Sequence, residues 1–538
     1  MTDRTIGTFF ETHAARWGQA DFLVAPADAG RDYHPDGFRL TYADALAEIR
    51  RLAGHFAAAG LGHGHRVAVL LGNRPEMVLV KQALNRIGAG WVPVNPDYRP
   101  AETAYLLQDS RPVLILTCAA MQDAMQAGLA TSGLDIPLVT LEEIPAALPA
   151  ALPHVASAPR AGQPVTGESE ASLIYTSGTT GRPKGCILSH DYEISLGEWY
   201  ASVGGLLQLK PRETRIYCPL PLFHVNAGIL LTFGVIASGT CQIAAERFRA
   251  STWWAEIAQT RANAAHYLGI IIPALMNAPA APTDRDNGLD WAVGAGVEPT
   301  LHRAFETRFG CPLIEVWGMT EMCRILADAH APRQIDTRAM GRPVPGLEVR
   351  VVDEHDKEVP RGTPGEMVLR HSAETPRKWF FSGYLNLPEE TEKSWAGGWF
   401  HTGDTVVMDD SDMVFFLDRK KNIIRRSGEN IAAAEIEAVL QEHEAVERVA
   451  VISVPDAMRD EEVMACVQTT GTGSETLARV LFDWCFERLS YYKAPGWVRF
   501  VDEVPVTGTQ KVQKHSLFAD GEDPTCGAFD FRDLKKRG

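Results

Sequence analysis

The run Leu173-Ile-Tyr-Thr-Ser-Gly-Thr-Thr-Gly-Arg-Pro-Lys-Gly185 gathers the parts of an anion grip. An apolar strand-like segment opens into a loop in which Gly178, Gly181 and Gly185 let successive N–H groups converge. Thr176, Ser177, Thr179 and Thr180 supply hydroxyl donors there, and Lys184 adds a full charge. The chemistry this suits is phosphate binding. Lys184 follows Pro183 and precedes a glycine, so the Walker arrangement, with Lys after Gly and before Ser or Thr, does not apply. Other residues carry chemistry only in context. Taken alone, His224 at a strand-to-helix turn is a structural histidine, and Glu321 is a solvated carboxylate. By the same reasoning Asp404 after Gly403 forms an Asx turn, and Lys511 near the C-terminus is a surface charge.

Together these segments resemble the acyl-adenylate-forming superfamily of acyl-CoA synthetases, peptide-synthetase adenylation domains and luciferases. The resemblance extends from about Thr41 to about Leu517, nearly the whole chain. It implies that Thr176, Ser177, Gly178, Thr179, Thr180 and Lys184 hold the phosphates of ATP, and that Gly294, Ala295 and Gly296 form the adenine-binding turn. Trp317-Gly318-Met319-Thr320-Glu321 is similar to an aromatic-Gly-x-Thr-Glu signature whose first residue is usually Tyr. There Trp317, Gly318 and Met319 would lie against the nucleotide, Thr320 would contact the α-phosphate and Glu321 would hold Mg²⁺, a hard cation suited to carboxylate and phosphate oxygens. Asp404 and Arg419 would contact the ribose. His224, Val225, Asn226, Val316 and Met322 would line the acyl pocket. Lys421 would be the hinge residue, Arg426, Ser427 and Gly428 the loop that passes the CoA arm, and Lys511 the catalytic lysine. Gln510 stands where the family usually has Gly, which leaves Lys514 as a minor rival. Pro-Leu-Phe-His-Val-Asn226 and Arg426-Ser-Gly-Glu-Asn430 look most like the crotonobetaine/carnitine-CoA ligase branch.

The elements that position these residues follow from periodicity. With 538 residues the chain divides into at least two domains. From Thr41, a candidate N-cap, apolar Leu46, Ile49, Ala53 and Phe56 mark a helix that stops at Gly60. Strands at 67–71, 91–95 and 113–117 alternate with helices, predicting a mainly parallel sheet. The alternating strands 347–352 and 366–370 predict a β-rich subdomain. Helix 432–442, strands 446–454, 463–469 and 498–501 and a helix from 474 predict a small α/β lid. Periodicity thus predicts an α/β fold, and the resemblance implies its division into an AMP-binding domain over 1–417, a hinge over 418–421 and a mobile C-terminal domain over 422–538. The tail after Ala519 is expected to be a loosely ordered extension.

Lys plus Arg of 52 against Asp plus Glu of 68 gives a net charge of −16, which argues against nucleic-acid or anionic-membrane partners. The nine cysteines have no C-x-x-C spacing, so a disulfide framework or zinc knuckle is not expected. Met-Thr-Asp-Arg lacks a signal peptide's apolar core, and the greasiest stretch, around 229–236, is too short to span a membrane. A cytoplasmic enzyme is expected, with a homodimer left open. The resemblance implies a carboxylate-CoA ligase using ATP, Mg²⁺ and CoA: acid and ATP give acyl-AMP and pyrophosphate, and the CoA thiol then displaces AMP. Other outcomes stay open: an adenylating enzyme that loads a carrier protein, a ligase for an aromatic or longer-chain acid, a luciferase-like oxygenase or an inactive binding protein. A peptide-synthetase domain would carry Asp where this chain has His224. Ser189 next to His190 is not assigned a covalent role, since adjacency does not make a dyad.

Asn226 on the presumed pocket wall would leave an amide unpaired against a plain alkyl chain, a cost of roughly 1–3 kcal/mol. A short or polar-tailed acid is therefore expected. Palmitate should show a lower kcat/KM than short or functionalised acids, and a higher value than all of them overturns the expectation.

Overall fold

Thr41 caps the helix Tyr42–Ala58 by accepting from the Asp44 N–H, and the Asp44 side chain returns the bond in a capping box. Gly60, in the left-handed region at φ 91°, then turns the chain away. Ser189 does the same work for the helix His190–Ser202, its hydroxyl accepting from Tyr192 N–H, while His190 Nδ1 accepts from the Ile6 N–H. The adjacent Ser and His are thus a cap and a tether for the N-terminal segment. The computed structural model describes residues 4–96, 98, 100–141, 152–156, 158–176, 183–269, 271–419, 423–426, 429–456, 459–489, 491–506, 512–519 and 521–536.

The chain forms two compact units, residues 1–348 with 370–399, and residues 349–369 with 400–538. Among the described residues, the first unit is built on two sheets. In one, Arg66–Leu70 lies between Gly90–Pro93 and Leu114–Cys118, all parallel as the alternation of strand and helix requires. Glu170–Thr176 extends this sheet and turns back antiparallel into Lys184–Ser189, whose far edge pairs with the two-residue strand Gly383–Tyr384. The other sheet carries Arg215–Cys218, Ala264–Leu268, Trp291–Ala295 and Leu313–Trp317 as parallel neighbours. Helix His190–Ser202 packs on the first sheet and helix Thr232–Ser238 on the second, and the two helices pack on each other, so they join the sheets through one core. Gly197 and Gly234 make that approach possible. A Cβ on Gly197 would come within 2.4 Å of Phe233, and one on Gly234 within 2.4 Å of Tyr200.

In the second unit, Gly365–Arg370, Phe400–Met408 and Val414–Arg419 form an antiparallel sheet. Beyond it, Ile423–Arg426 and Glu429–Ala432 make a hairpin, Val446–Asp456 pairs antiparallel with Asp460–Thr469, and Trp497–Phe500 runs parallel to the latter. Helices Ala433–Gln441 and Glu475–Arg488 pack against each other, and their apolar faces, with Ile436, Leu440, Ala478 and Leu481, lie in the core of this sheet.

The tail differs from expectation. Phe529–Asp530 adds a strand to the sheet edge, the buried Phe531 stacks on Phe482 at 5.3 Å between ring centroids, and Lys535 is buried against Glu462. One aromatic at the end of a polar stretch is enough to seat the segment, because it finds a ring already in the core. Phe531→Ala should cost about 3 kcal/mol by removing that ring, lowering the urea midpoint of the transition reported by Trp497 and its neighbours. An unchanged midpoint would mean that the tail does not hold.

Candidate active site

In the first unit, the hairpin of Glu170–Thr176 and Lys184–Ser189 closes on the pair Thr176↔Lys184, so the phosphate loop is presented from two hydrogen-bonded strand ends. Ser177, Gly178, Thr179 and Thr180 lie outside the described residues. Lys184 is ion-paired to Glu390 at 2.7 Å and sits 5.1 Å from the centroid of the Tyr384 ring. Tyr384 Oη in turn donates to Glu321 Oε1 at 2.9 Å. Thr176 Oγ1 is 3.8 Å from Cys186 Sγ, and Cys186 pairs in register with Tyr384. The strand end, the lysine and the Thr-Glu signature, distant in sequence, therefore meet at one corner. Burial first, and the Glu321 charge second, push the Tyr384 phenol far up, so it stays a proton donor.

The loop after Leu313–Trp317 is pinned from below. Tyr192 Oη lies 2.9 Å from the Thr320 carbonyl and 2.8 Å from that of Met322, and the Phe381 N–H donates to the Glu321 carbonyl at 2.8 Å. Gly318 has no substitute here, since a Cβ would lie 2.2 Å from Ile325. Met319 accepts from the Met322 N–H, and Trp317 and Val316 are buried on the strand end. Met322 is only 1% exposed, so it packs in the core behind the loop. Among the described residues no group of three or more His, Cys, Asp or Glu side chains could hold a metal. A single buried carboxylate, Glu321, fits Mg²⁺, which keeps water and phosphate oxygens for its other positions.

The strand Trp291–Ala295 carries the expected adenine turn, Gly294-Ala295-Gly296. A Cβ at Gly294 would fall 2.3 Å from the Tyr267 carbonyl oxygen, and Gly296 sits at φ 85°. Sequence reading missed what fastens this turn. Glu315 accepts from the Gly296 N–H at 2.8 Å and the Val297 N–H at 3.4 Å, and the Tyr267 hydroxyl also donates to it. Asn73 was missed as well: its side chain accepts from the Leu222 N–H and donates to the carbonyls of Leu220 and Ala245, clamping the run that leads to His224. His224 and Val225 follow at half-buried positions, and Asn226 opens a π-helical turn, Asn226–Leu231. Such widened turns are enriched at functional sites.

In the second unit Asp404 is 4% exposed, and register sets it opposite Arg419. The turn before it is closed by other groups, Glu366 taking the Gly403 N–H and Thr402 Oγ1 the Asp404 N–H. Arg426 is buried, its Nε donating to both oxygens of Glu462 at 2.9 Å, and it forms with Glu429 the last described pair of its hairpin. Lys421, Ser427, Gly428 and Lys511 lie outside the described residues. Val506 bridges to Val512, closing the loop that contains Lys511, and Lys514 is ion-paired with Glu437 at 2.9 Å.

Over residues 10–385 the chain matches the AMP-binding enzyme family, and over residues 435–511 the AMP-binding enzyme C-terminal domain. The chain belongs to the AMP-binding enzyme family. Among relatives of the family, a crotonobetaine/carnitine–CoA ligase of Citrobacter koseri is 29% identical over 89% of this chain and 93% of its own length. A sulfoacetate–CoA ligase of Cupriavidus necator is 30% identical over 95% and 97%. ATP-bound MatB from Rhodopseudomonas palustris shares the fold, with a TM-score of 0.76 at 24% identity over 95% of this chain and 98% of that one. By class this AMP-binding enzyme is an AMP-forming acid–thiol ligase with ATP and CoA as co-substrates. No helix among its described residues is long and apolar enough to cross a membrane.

Burial pushes the Glu315 carboxyl up to about 7, against the pull of Tyr267, the two backbone N–H groups and, more weakly, His302. All its hydrogen-bonding neighbours in the turn are donors, so protonation replaces an acceptor by a fourth donor. Adenosine, which does not itself titrate in this range, should therefore bind more weakly as pH falls through about 7. Stability runs the other way, because a folded value above the ordinary 4.5 makes this group's contribution full below 4.5 and lost as pH rises through about 7. Glu315→Gln should remove the pH dependence of adenosine binding measured by calorimetry. The same slope in the variant would exclude Glu315 as its source.

Proposed function

We propose that the protein activates a short acid with a polar tail and transfers it to CoA, and that the corner formed by Thr176, Lys184, Glu321 and Tyr384 receives the triphosphate. The observation that carries this reading is the convergence of a phosphate-gripping strand end with a buried carboxylate suited to Mg²⁺, held by Tyr384. Bound there, the metal would neutralise phosphate charge, with Glu321 as its protein ligand.

In the first half-reaction a carboxylate oxygen attacks the α-phosphorus, the bond to the β-phosphate oxygen breaks, and pyrophosphate leaves. Both partners are anions, so the protein contributes positioning and positive charge; no side-chain nucleophile is needed. Thr320 and the 176–184 loop hold the phosphates, the turn at 294–296 takes the adenine, and Asp404 and Arg419 take the ribose hydroxyls. Lys511 brings its charge between carboxylate and α-phosphate. Its assignment over Lys514 is supported by the ion pair that already occupies Lys514. In the second half-reaction the CoA thiol sulfur attacks the acyl carbon and AMP leaves. The hinge at 418–421 would turn the small domain so that Ser427 and Gly428 meet the pantetheine arm, with Arg426 fixing the base of that loop through Glu462.

A panel of acids, scored for pyrophosphate release with and without CoA and for thioester formation, tests the reaction and the substrate range together. Lys511→Ala should lower adenylation by about a hundred-fold to a thousand-fold, the usual loss for one charged donor in a water-poor site. Thioester formation from supplied acyl-AMP should persist. Lys421→Pro should do the reverse by fixing φ at the hinge. Equal impairment of both halves by Lys511→Ala, or loss of pyrophosphate release in Lys514→Ala alone, overturns the assignment.

A further inference from the structure

Behind the proposed acyl-pocket wall lies a polar line that the adenylation chemistry does not use. Tyr200, on helix His190–Ser202, places Oη 2.9 Å from His266 Nε2, and His266 Nδ1 lies 2.7 Å from Asn226 Oδ1. Tyr200 and His266 are each 1% exposed, whereas Asn226 is half-buried. Gly234 gives the Tyr200 ring its room, and Ala227, next to Asn226, has its carbonyl held by Thr232 and Gln242, so the turn that aims Asn226 is braced.

The line has a direction. Burial presses the His266 pKa down to about 3, so its ring is neutral and carries one N–H. Among the described residues the Tyr200 hydroxyl has only His266 as a side-chain partner. Were the ring proton on Nε2, the buried phenolic proton would have no acceptor. The phenol therefore donates to Nε2, Nδ1–H donates to Asn226 Oδ1, and the Asn226 carbonyl is turned backward and used. Its Nδ2 has no partner among the described residues, which leaves two N–H donors at a half-buried position.

We propose that the Tyr200–His266–Asn226 relay makes the acyl pocket a hydrogen-bond donor site, so that the substrate is an acid whose tail bears an acceptor oxygen, with cationic tails rejected. This rests on the reading of His224–Asn226 as the acyl-pocket wall. A carbonyl or sulfonate oxygen accepts from one of these N–H groups, an alkyl tail accepts from neither, and an ammonium meets only donors. Asn226 is the specificity-determining residue, and Tyr200 and His266 are positioning residues.

The test compares levulinate with its apolar isostere isocaproate, alongside sulfoacetate and γ-butyrobetaine, by pyrophosphate release from the full-length enzyme. Levulinate should exceed isocaproate in kcat/KM by about ten-fold to a hundred-fold, the usual discrimination when a polar group goes unpaired, and γ-butyrobetaine should be the poorest of the four. Asn226→Leu should bring the levulinate-to-isocaproate ratio close to one. Tyr200→Phe, the milder change, should lower that ratio while leaving the KM for ATP in place. Spectra of the enzyme labelled with ¹⁵N-histidine should show His266 protonated at Nδ1. Preference of the active enzyme for isocaproate or γ-butyrobetaine, an unchanged ratio in both variants, or a ring protonated at Nε2 overturns the relay. Failure of the ligase reading looks different: no acid in any panel would release pyrophosphate, and the inference would fall with it.

Discussion

The pairing of a two-residue strand, Gly383–Tyr384, onto the edge of Lys184–Ser189 is the contact on which the proposed triphosphate corner depends. It delivers one phenol to Glu321 and lays the same ring beside the Lys184 ammonium. Without it the Thr-Glu signature and the phosphate loop would be two unrelated loops on two different sheets. Tyr384 is also what lets a carboxylate sit 6% exposed at the end of a strand, because a donor meets one of its oxygens where water does not. Lys184 meanwhile is satisfied by Glu390, a partially exposed pair and so a weak one. In the proposed site a triphosphate would offer the ammonium more charge than one carboxylate can, at little cost in exchange.

The elements were largely legible in the sequence, and the contacts between them were not. Thr41 as a cap, Gly60 as a stop, and the strand into the phosphate loop are local signals, carried by a few neighbouring residues and read from spacing. Thr176, Lys184 and Glu321 were found through motifs and do lie near one another. Glu315, Asn73, Tyr384 and His266 were missed because each acts as a single polar residue on a partner far along the chain. Periodicity gives the face a residue occupies but not which distant group meets it. Phe531 was missed for the same reason, since a lone aromatic in a polar tail gives no period at all.

Buried polar groups elsewhere in the first unit follow the same economy. Lys81 and Glu193 are both essentially unexposed and ion-paired, with Asn85 accepting from Lys81 and Ser172 donating to Glu193. Burial alone would press Lys81 toward its neutral form, and Glu193 opposes that. Removing one partner would leave a buried charge alone, which costs far more than the pair contributes, so this pair fixes helix Pro75–Arg86 against helix His190–Ser202 by penalising any other register. The helix that carries Tyr200 is thereby held near its N-terminal end, and the Tyr200–His266 contact lies near the other.

That rigidity matters because the two ends of the site work by different physics. Where ATP is proposed to bind in the first unit, the groups are ionic, Lys184 and Glu321. Where the acyl tail is expected, the described groups are neutral dipoles, an amide and an imidazole whose orientation is set by a phenol. Ionic contacts tolerate displacement, since a charge acts over several ångströms, but an amide that must present nitrogen and not oxygen has a meaning that reverses on rotation by half a turn. Selection among acids by such a group is only as good as the framework that stops it rotating, and here that framework is a buried histidine with a single proton to place.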